Sequence, residues 1–187
     1  MPEVFNNPGR KVLMAVRKLA DSVAEHRKKS VNNANVAVIT LSTSRALESD
    51  KSGDVIQKLL EEKGHTVSVR RLIPDNRNVL RATLRELARE RRIHAIITTG
   101  GTGLTPTDVT IEAVHGMLDK ELPGFNSLFM MLSYPQVKSA AMLSRALAGT
   151  MKGKIIFCLP GSPRACKLAI ESLILPELSH ILMLLGS

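Results

Sequence analysis

The sequence predicts an α/β fold: a three-layer sandwich with a mostly parallel central sheet and helices on both faces. Three observations point there. Apolar, β-branched runs alternate with stretches of helical periodicity between residues 35 and 99, the β-α-β-α-β order that belongs to parallel sheets. The connections between these runs are short. The runs at 35–41, 95–97 and 155–159 are almost wholly apolar, as strands covered on both faces are.

The elements follow in order. Residues 1–32 read as an N-terminal extension. Within it, Val12, Leu13, Val16, Leu19, Ala20 and Val23 share one helical face, with Arg and Lys opposite. An amphipathic helix outside the main unit needs a cover, and a neighbouring subunit is the expected one. Residues 33–187 carry the α/β domain, whose first strand is Asn35–Leu41. A hydroxyl-rich segment follows from Ser42, and Val55, Ile56, Leu59 and Leu60 mark a helix stopped at Gly64. Thr66 to Leu72 alternates as a second strand until Pro74-Asp75-Asn76 breaks it. Val79, Leu80, Thr83, Leu84, Leu87 and Ala88 then share a helix face. The third strand runs into Thr99-Gly100-Gly101-Thr102-Gly103, and a helix is expected from about Thr107. After a turn at 119–125, residues 128–132 predict a short helix. Residues 142–148 favour helix by propensity, yet Gly149 and Gly153 predict a hairpin turn, and both readings stand. The strand at 155–159 leads to Pro160-Gly161-Ser162-Pro163, with Ser162 as N-cap and Pro163 at the first helical position. The last helix is expected to kink or break before Pro176 and to resume to Leu185.

Ligands of parallel sheets bind beyond the carboxyl ends of the strands. The segment from Ser42 to Asp54, Asp75 and the glycine loop all fall at such ends. Three glycines in four residues admit positive φ and let backbone N–H groups approach an anion. A strand, bare loop and helix in succession would also set a helix N-terminus beside it. Spacing excludes two familiar phosphate loops. No G-x-x-x-x-G-K-[ST] occurs, and Pro106 stands where G-x-G-x-x-G needs its third glycine. A carboxylate beside a phosphate cradle repels the ligand unless a cation lies between them, so Asp108 reads as a Mg2+ ligand. The plainer alternative makes it the N-cap of a tight βα turn.

Composition narrows the classes further. The 187 residues carry a net charge of +9 and are 44% hydrophobic, which suits one domain with a full core. Residues 1–30 hold seven Lys/Arg against three acids, and residues 70–92 hold eight arginines against three. With no Trp and one Tyr, stacking platforms for bases are few, so no nucleic-acid partner is expected. No apolar run of eighteen residues is free of charge, so no membrane partner is expected either. The start of the chain lacks an apolar signal region, which predicts a cytoplasmic protein. Cys158 and Cys166 match no metal or redox spacing and are expected to pack in the core. The five histidines form no zinc pattern. Metal chemistry would have to use oxygen ligands.

The string Thr98-Thr99-Gly100-Gly101-Thr102-Gly103, followed by Asp108-Val109-Thr110, resembles the signature of the molybdopterin-binding MoaB/MogA family. Asp50-Lys51-Ser52-Gly53 resembles its D-x-S-G segment, and Leu72-Ile73-Pro74-Asp75 its L-x-P-D. Pro123-Gly124-Phe125, Leu143-Ser144-Arg145-Ala146 and Leu159-Pro160-Gly161-Ser162-Pro163 follow in the family order, so the likeness spans about residues 34–180. The long stretch from Pro123 to Val137 and the basic N-terminal helix look like the MoaB branch.

The resemblance implies that residues 33–187 are a molybdopterin-binding domain serving molybdenum-cofactor biosynthesis. The implied reaction is adenylylation of the terminal phosphate of molybdopterin by ATP with Mg2+, releasing pyrophosphate. Asp75 and Asp108 would be catalytic and hold the metal. Thr99, Gly100, Gly101, Thr102 and Gly103 would cradle phosphate. Ser52, Gly53, Ser144, Arg145, Gly161 and Ser162 would hold the nucleotide or pterin. A homo-oligomer, trimer or hexamer, is implied too, with the N-terminal helix as candidate for the pairing contact. Two positions depart from the MogA pattern: Thr107 replaces an Arg and Ile111 a Pro. The alternative is therefore a non-catalytic molybdopterin-binding or carrier protein of the same pathway. A phosphate monoester, with a second pKa of about 6, is largely dianionic at neutral pH and needs no protein base. The difficulty is to bring two anions together, which a metal and backbone N–H groups relieve. That chemistry accounts for acids and glycines at the site, and for the lack of His or Cys.

Overall fold

Six strands, β1 (Asn35–Leu41), β2 (Thr66–Ile73), β3 (Ala95–Thr99), β4 (Lys120–Glu121), β5 (Leu147–Met151) and β6 (Lys154–Leu159), form one sheet in the order β2-β1-β3-β6-β5-β4. The computed structural model describes residues 33–43 and 49–186. The helix expected at 10–29 lies outside them. β2, β1, β3 and β6 run parallel, while β5 and β4 pair antiparallel at one edge. The helices are α1 (Lys51–Glu61), α2 (Arg77–Arg89), α3 (Thr110–His115), α4 (Pro123–Val137), α5 (Pro163–Ala169) and α6 (Leu175–Leu185). The mostly parallel three-layer architecture is the expected one.

Alternation along the strands divides the interior in two. Val36 and Val38 of β1, Ile97 of β3 and Ile155 and Phe157 of β6 face one core, together with Ile56 and Leu60 of α1 and Phe129 of α4. Ala37, Ile39, Ile96, Ile156 and Cys158 face the other, with Leu80, Leu84 and Leu87 of α2 and Val114 of α3. Each such fully buried Leu or Ile stabilises the fold by about 1.5–3 kcal/mol. Phe125 at the start of α4 meets Phe157 with ring centroids 5.2 Å apart. Cys158 and Cys166 are free and buried, as expected, and burial pushes their thiols up to about 12 and about 11. The basic zone at 70–92 is partly engaged within the fold. Arg70 pairs with Asp50 and Asp54, Arg71 with Glu86, and Arg81 donates to the Ala113 carbonyl.

Five local expectations are corrected. The helix expected from Thr107 starts at Thr110, because Asp108 folds back onto Thr105 instead of capping it. The expected turn at 119–125 contains the short edge strand β4, and Pro123 opens a helix of 15 residues where a short one was expected. Proline fits that first helical position, while Pro135, two residues before the helix ends, removes one i−4 bond from the last turn only. Residues 138–143 form a 3-10 turn, after which β5 begins at Leu147. The hairpin turn sits at Lys152 and Gly153, both at positive φ, while Gly149 lies inside β5. Pro176 does not break the last helix, which continues from Pro163 to Leu185. The turn before it, Ile170–Ile174, widens to π spacing and so accommodates the proline. This helix is long and apolar enough to match a membrane span by length and composition alone. Its fully buried Cys166, Ala169, Ile170, Ile174, Leu178 and Leu182 lie in the sheet's core.

Candidate functional site

The paths of the loops open the site. From β3 the chain passes to α3 on one face of the sheet. From its neighbours β1 and β6 it passes to α1 and α5 on the other face. Chains departing in opposite directions leave a hollow over the end of β3. The hollow holds about 670 Å³. Leu41 and Ser42 line it from β1, Asp75 from β2, Gly100 to Gly103 and Asp108 from β3, and Pro160 to Pro163 from β6, with Leu143 and Ser144 on the remaining side.

The glycine loop keeps its shape through side chains on its outer surface. Gly100 and Gly101 take φ of 97° and 61°, values that disfavour any residue with a Cβ. A Cβ at Gly101 would also stand 2.7 Å from the Thr110 hydroxyl. That hydroxyl donates to the Gly100 carbonyl at 2.8 Å, and the Thr110 N–H donates to the Gly101 carbonyl at 2.9 Å. The N–H groups of Gly101 and Thr102 meet no acceptor among the described residues. Gly161 touches the loop main chain to main chain, since a Cβ there would lie 3.2 Å from the Gly100 Cα. Ser162 caps α5 by accepting from the Ala165 N–H at 3.1 Å, the role expected of it, while also lining the hollow.

Asp75 and Asp108 reach the same hollow from different strand ends. Asp75 Oδ2 accepts the Thr43 N–H and hydroxyl, each at 2.8 Å. Asp108 Oδ2 accepts the Thr105 hydroxyl at 2.6 Å and the Thr105 N–H at 2.9 Å. The Thr105 hydroxyl bond, helped by backbone N–H groups and the Arg145 charge, holds the Asp108 carboxyl below the usual carboxylate range. In each carboxylate a threonine's hydroxyl and N–H share one oxygen. Among the described residues no group of three His, Cys, Asp or Glu could hold a metal by itself. Two carboxylates beside a phosphate cradle do fit Mg2+, which usually takes one or two carboxylates plus substrate oxygens and water. Because α3 has only six residues and starts beyond Asp108, the expected helix-dipole contribution to anion binding is withdrawn.

Several expected contacts lie behind the wall of the hollow. The Thr99 hydroxyl is buried and donates to the Pro160 carbonyl at 2.9 Å. The Ser52 hydroxyl, also buried, donates to the Gly161 carbonyl at 2.8 Å. Gly53 leaves no room for a side chain against Asp50 and Arg70. Arg145 directs its guanidinium to the carbonyls of Thr102 and Gly103 and to Glu112. None of these four lines the hollow. They sit behind the loops that form it.

Asp50 is more than a surface acid. Fully buried, it caps α1 through the Gly53 N–H at 3.0 Å, accepts the Thr40 hydroxyl at 2.6 Å and pairs with Arg70 at 3.1 Å. Burial alone would raise its pKa. The bonds from Thr40, Gly53 and Arg70 outweigh that and hold the carboxyl below its usual range. Sequence reasoning missed Thr43, Thr105, Thr110 and Glu112. Only Thr110 had a signal, as the last residue of the Asp108-Val109-Thr110 string.

Comparisons with known proteins agree with this geometry. A family model described as a probable molybdopterin binding domain matches residues 37–180. The Bacillus cereus protein named molybdenum cofactor biosynthesis protein B is 43% identical over 161 residues, covering 86% of this chain and 95% of the relative. A Methanocaldococcus jannaschii protein named probable molybdopterin adenylyltransferase is 42% identical over 161 residues, covering 82% and 95%. The crystal structure of the tungsten cofactor synthesizing protein MoaB from Pyrococcus furiosus superposes with a TM-score of 0.75 at 35% identity, covering 84% of this chain and all of that one.

Proposed function

The chain belongs to the molybdopterin-binding-domain family of molybdenum cofactor biosynthesis proteins, and from that premise we propose that it adenylylates the terminal phosphate of molybdopterin, using ATP and Mg2+. One observation carries the reading: two aspartates from separate strand ends line the same hollow as a glycine loop in which the Gly101 and Thr102 N–H groups meet no acceptor among the described residues. A phosphate oxygen of the pterin attacks the α-phosphorus of ATP. A P–O bond forms, the bond to pyrophosphate breaks, and pyrophosphate leaves with the bonding electrons. The nucleophile is already an anion, so no protein base is needed. The task of the chain is to hold two polyanions in line.

Gly101 and Thr102 offer backbone donors to phosphate oxygens, and Gly161 and Ser162 close the opposite side. Asp75 and Asp108, kept in place by Thr43 and Thr105, would hold Mg2+, which when bound neutralises phosphate charge. Ser144 and Leu143 at the rim suit the flat pterin. Thr107 supplies no cation where MogA patterns have Arg, which favours the second reading, a non-catalytic pterin carrier. Incubation with molybdopterin, MgATP and a pyrophosphate detector separates the two. Adenylylation predicts stoichiometric release, whereas pterin binding without release at saturating ATP would leave the carrier.

Residues 1–32 are proposed as an extension to the catalytic domain of a cytoplasmic homo-oligomer, trimer or hexamer. The exposed Leu128, Met131 and Leu132, spaced to share a face of α4, support self-association. A monomer mass in solution at micromolar concentration would contradict that part.

A further inference from the structure

We propose that Arg145 and Glu112 form a strap that fixes the peptide planes of the glycine loop from outside, making Arg145 a positioning residue with no contact to the anion. The proposal rests on the reading of the hollow as a phosphate site. Arg145 lies between the 3-10 turn Lys138–Leu143 and β5, and its side chain crosses to the loop after β3. Nε donates to the Thr102 carbonyl at 2.8 Å, Nη2 to the Gly103 carbonyl at 2.6 Å, and Nη1 to Glu112 Oε1 at 2.5 Å. Each guanidinium nitrogen thus already holds an acceptor. Glu112 comes from the first turn of α3, and the hydrogen bond from Arg145 keeps its carboxyl below the usual range. Three separate pieces of chain meet at one side chain.

The effect on the loop follows from peptide planarity. In a trans peptide the C=O and the next N–H point in opposite directions. Gripping a carbonyl therefore aims the following N–H. Thr110 grips the carbonyls of Gly100 and Gly101, which aims the N–H groups of Gly101 and Thr102. Arg145 grips the carbonyls of Thr102 and Gly103, which aims those of Gly103 and Leu104. The Gly103 N–H is one of the groups that hold the Asp108 carboxyl low. Four consecutive peptides, three of them beginning at glycine, are fixed on the carbonyl side before any ligand arrives. Glycines without such grips would have to be ordered on binding, at a cost to affinity. The planar fork of Arg matches two carbonyls and a carboxylate at once; a Lys ammonium offers one point charge on a flexible stem.

The test compares the wild-type chain with Arg145→Lys, Arg145→Met and Glu112→Gln, each checked for a cooperative melt. Two quantities are measured: affinity for inorganic pyrophosphate and MgATP by calorimetry, and hydrogen-exchange rates of the Gly101 to Leu104 amides in the ligand-free protein. Loss of charge-assisted bonds to the loop is expected to weaken binding about tenfold or more in both Arg145 variants. The loop amides should exchange faster by a similar factor. Glu112→Gln loosens the fork and should weaken binding about threefold. Had Arg145 contacted the anion directly, Glu112→Gln would release it and raise affinity, and Arg145→Lys would keep most of the binding. Either result overturns the strap. A wild-type chain that binds neither probe removes the phosphate reading instead. In that case loop exchange unchanged in Arg145→Lys would still overturn the strap.

Discussion

The two ends of the parallel sheet use similar side chains to opposite effect. At the amino end, His65 Nδ1 accepts the Ala34 N–H at 3.2 Å and His94 Nδ1 accepts the Asn35 N–H at 2.9 Å. Lys154 donates to the carbonyls of Glu90 and Ile93, closing the end of α2. At the carboxyl end, the Gly101 and Thr102 N–H groups meet no acceptor among the described residues, and two carboxylates line open space. Size does not distinguish the ends. A hollow of about 600 Å³ near the start of β2, lined by Lys63, His65, Glu171, Leu175, Pro176 and Ser179, rivals the 670 Å³ at the carboxyl end. What differs is the kind of polar group at each: two carboxylates and bare main-chain N–H groups at the carboxyl end, the side chains of Lys63, His65, Glu171 and Ser179 at the other.

Asp50 is the first way to test that contrast, because it sits at the carboxyl end yet is bonded like the amino end. Asp50→Ala leaves Arg70 without its buried partner and should cost about 3 kcal/mol or more. For a chain of this size that lowers Tm by about 6–12 °C, readable by calorimetry. A loss below 2 °C would mean that burial and bonding do not mark structural acids here. Asp75→Asn and Asp108→Asn should do the reverse. Pyrophosphate release should fall about 100-fold in each, while Tm stays within about 2 °C of wild type. Lys154→Met removes a donor from the buried Ile93 carbonyl and from the Glu90 carbonyl, which keeps the Ile93 N–H, and should cost about 1–2 kcal/mol. Its rate of pyrophosphate release should match wild type, and a slowed rate would break the division between the ends.

The smallest effect is a pH slope. Burial, joined at His94 by the Lys154 charge, holds both imidazoles below their ordinary 6.5. Just below pH 6.5 the unfolded chain therefore binds more protons than the folded one, so stability declines as pH falls from about 7 towards 5. The His65→Asn/His94→Asn pair keeps acceptors for the Ala34 and Asn35 N–H groups without titrating. Urea midpoints of that variant should lose most of the slope over this range, and an undiminished slope would place its origin elsewhere.

Much of this was legible in the residues themselves. Residues 35–41 read as a strand because a doubly covered strand must be apolar on both faces, and β1 has those same ends. The glycine loop, Asp75 and Pro160-Gly161-Ser162 were placed together by the rule that ligands collect at strand carboxyl ends. The internal hydrogen-bond partners of Thr99, Ser52 and Arg145 were not legible. Whether a hydroxyl or guanidinium faces a ligand or the back of a loop depends on carbonyls contributed by distant segments, such as Pro160 for Thr99 and Gly161 for Ser52. The start of α3 was misplaced for a local reason. Thr105 competes for Asp108, and a hydroxyl three residues upstream carries no helix signal of its own. In α4, Pro123-Gly124 and Pro135 suggest breaks, although Pro123 takes the first turn, where proline is tolerated, and Pro135 disturbs only the last one.

The central claim is that the hollow over β3 is where phosphate is held. Mapping amide chemical shifts while MgATP is added to the full chain tests it most directly. The largest changes are predicted at Gly101, Thr102, Gly161 and Ser162, with the residues around His65 and Ser179 undisturbed. Changes concentrated at Lys63, His65 and Ser179, with the glycine loop silent, would contradict it.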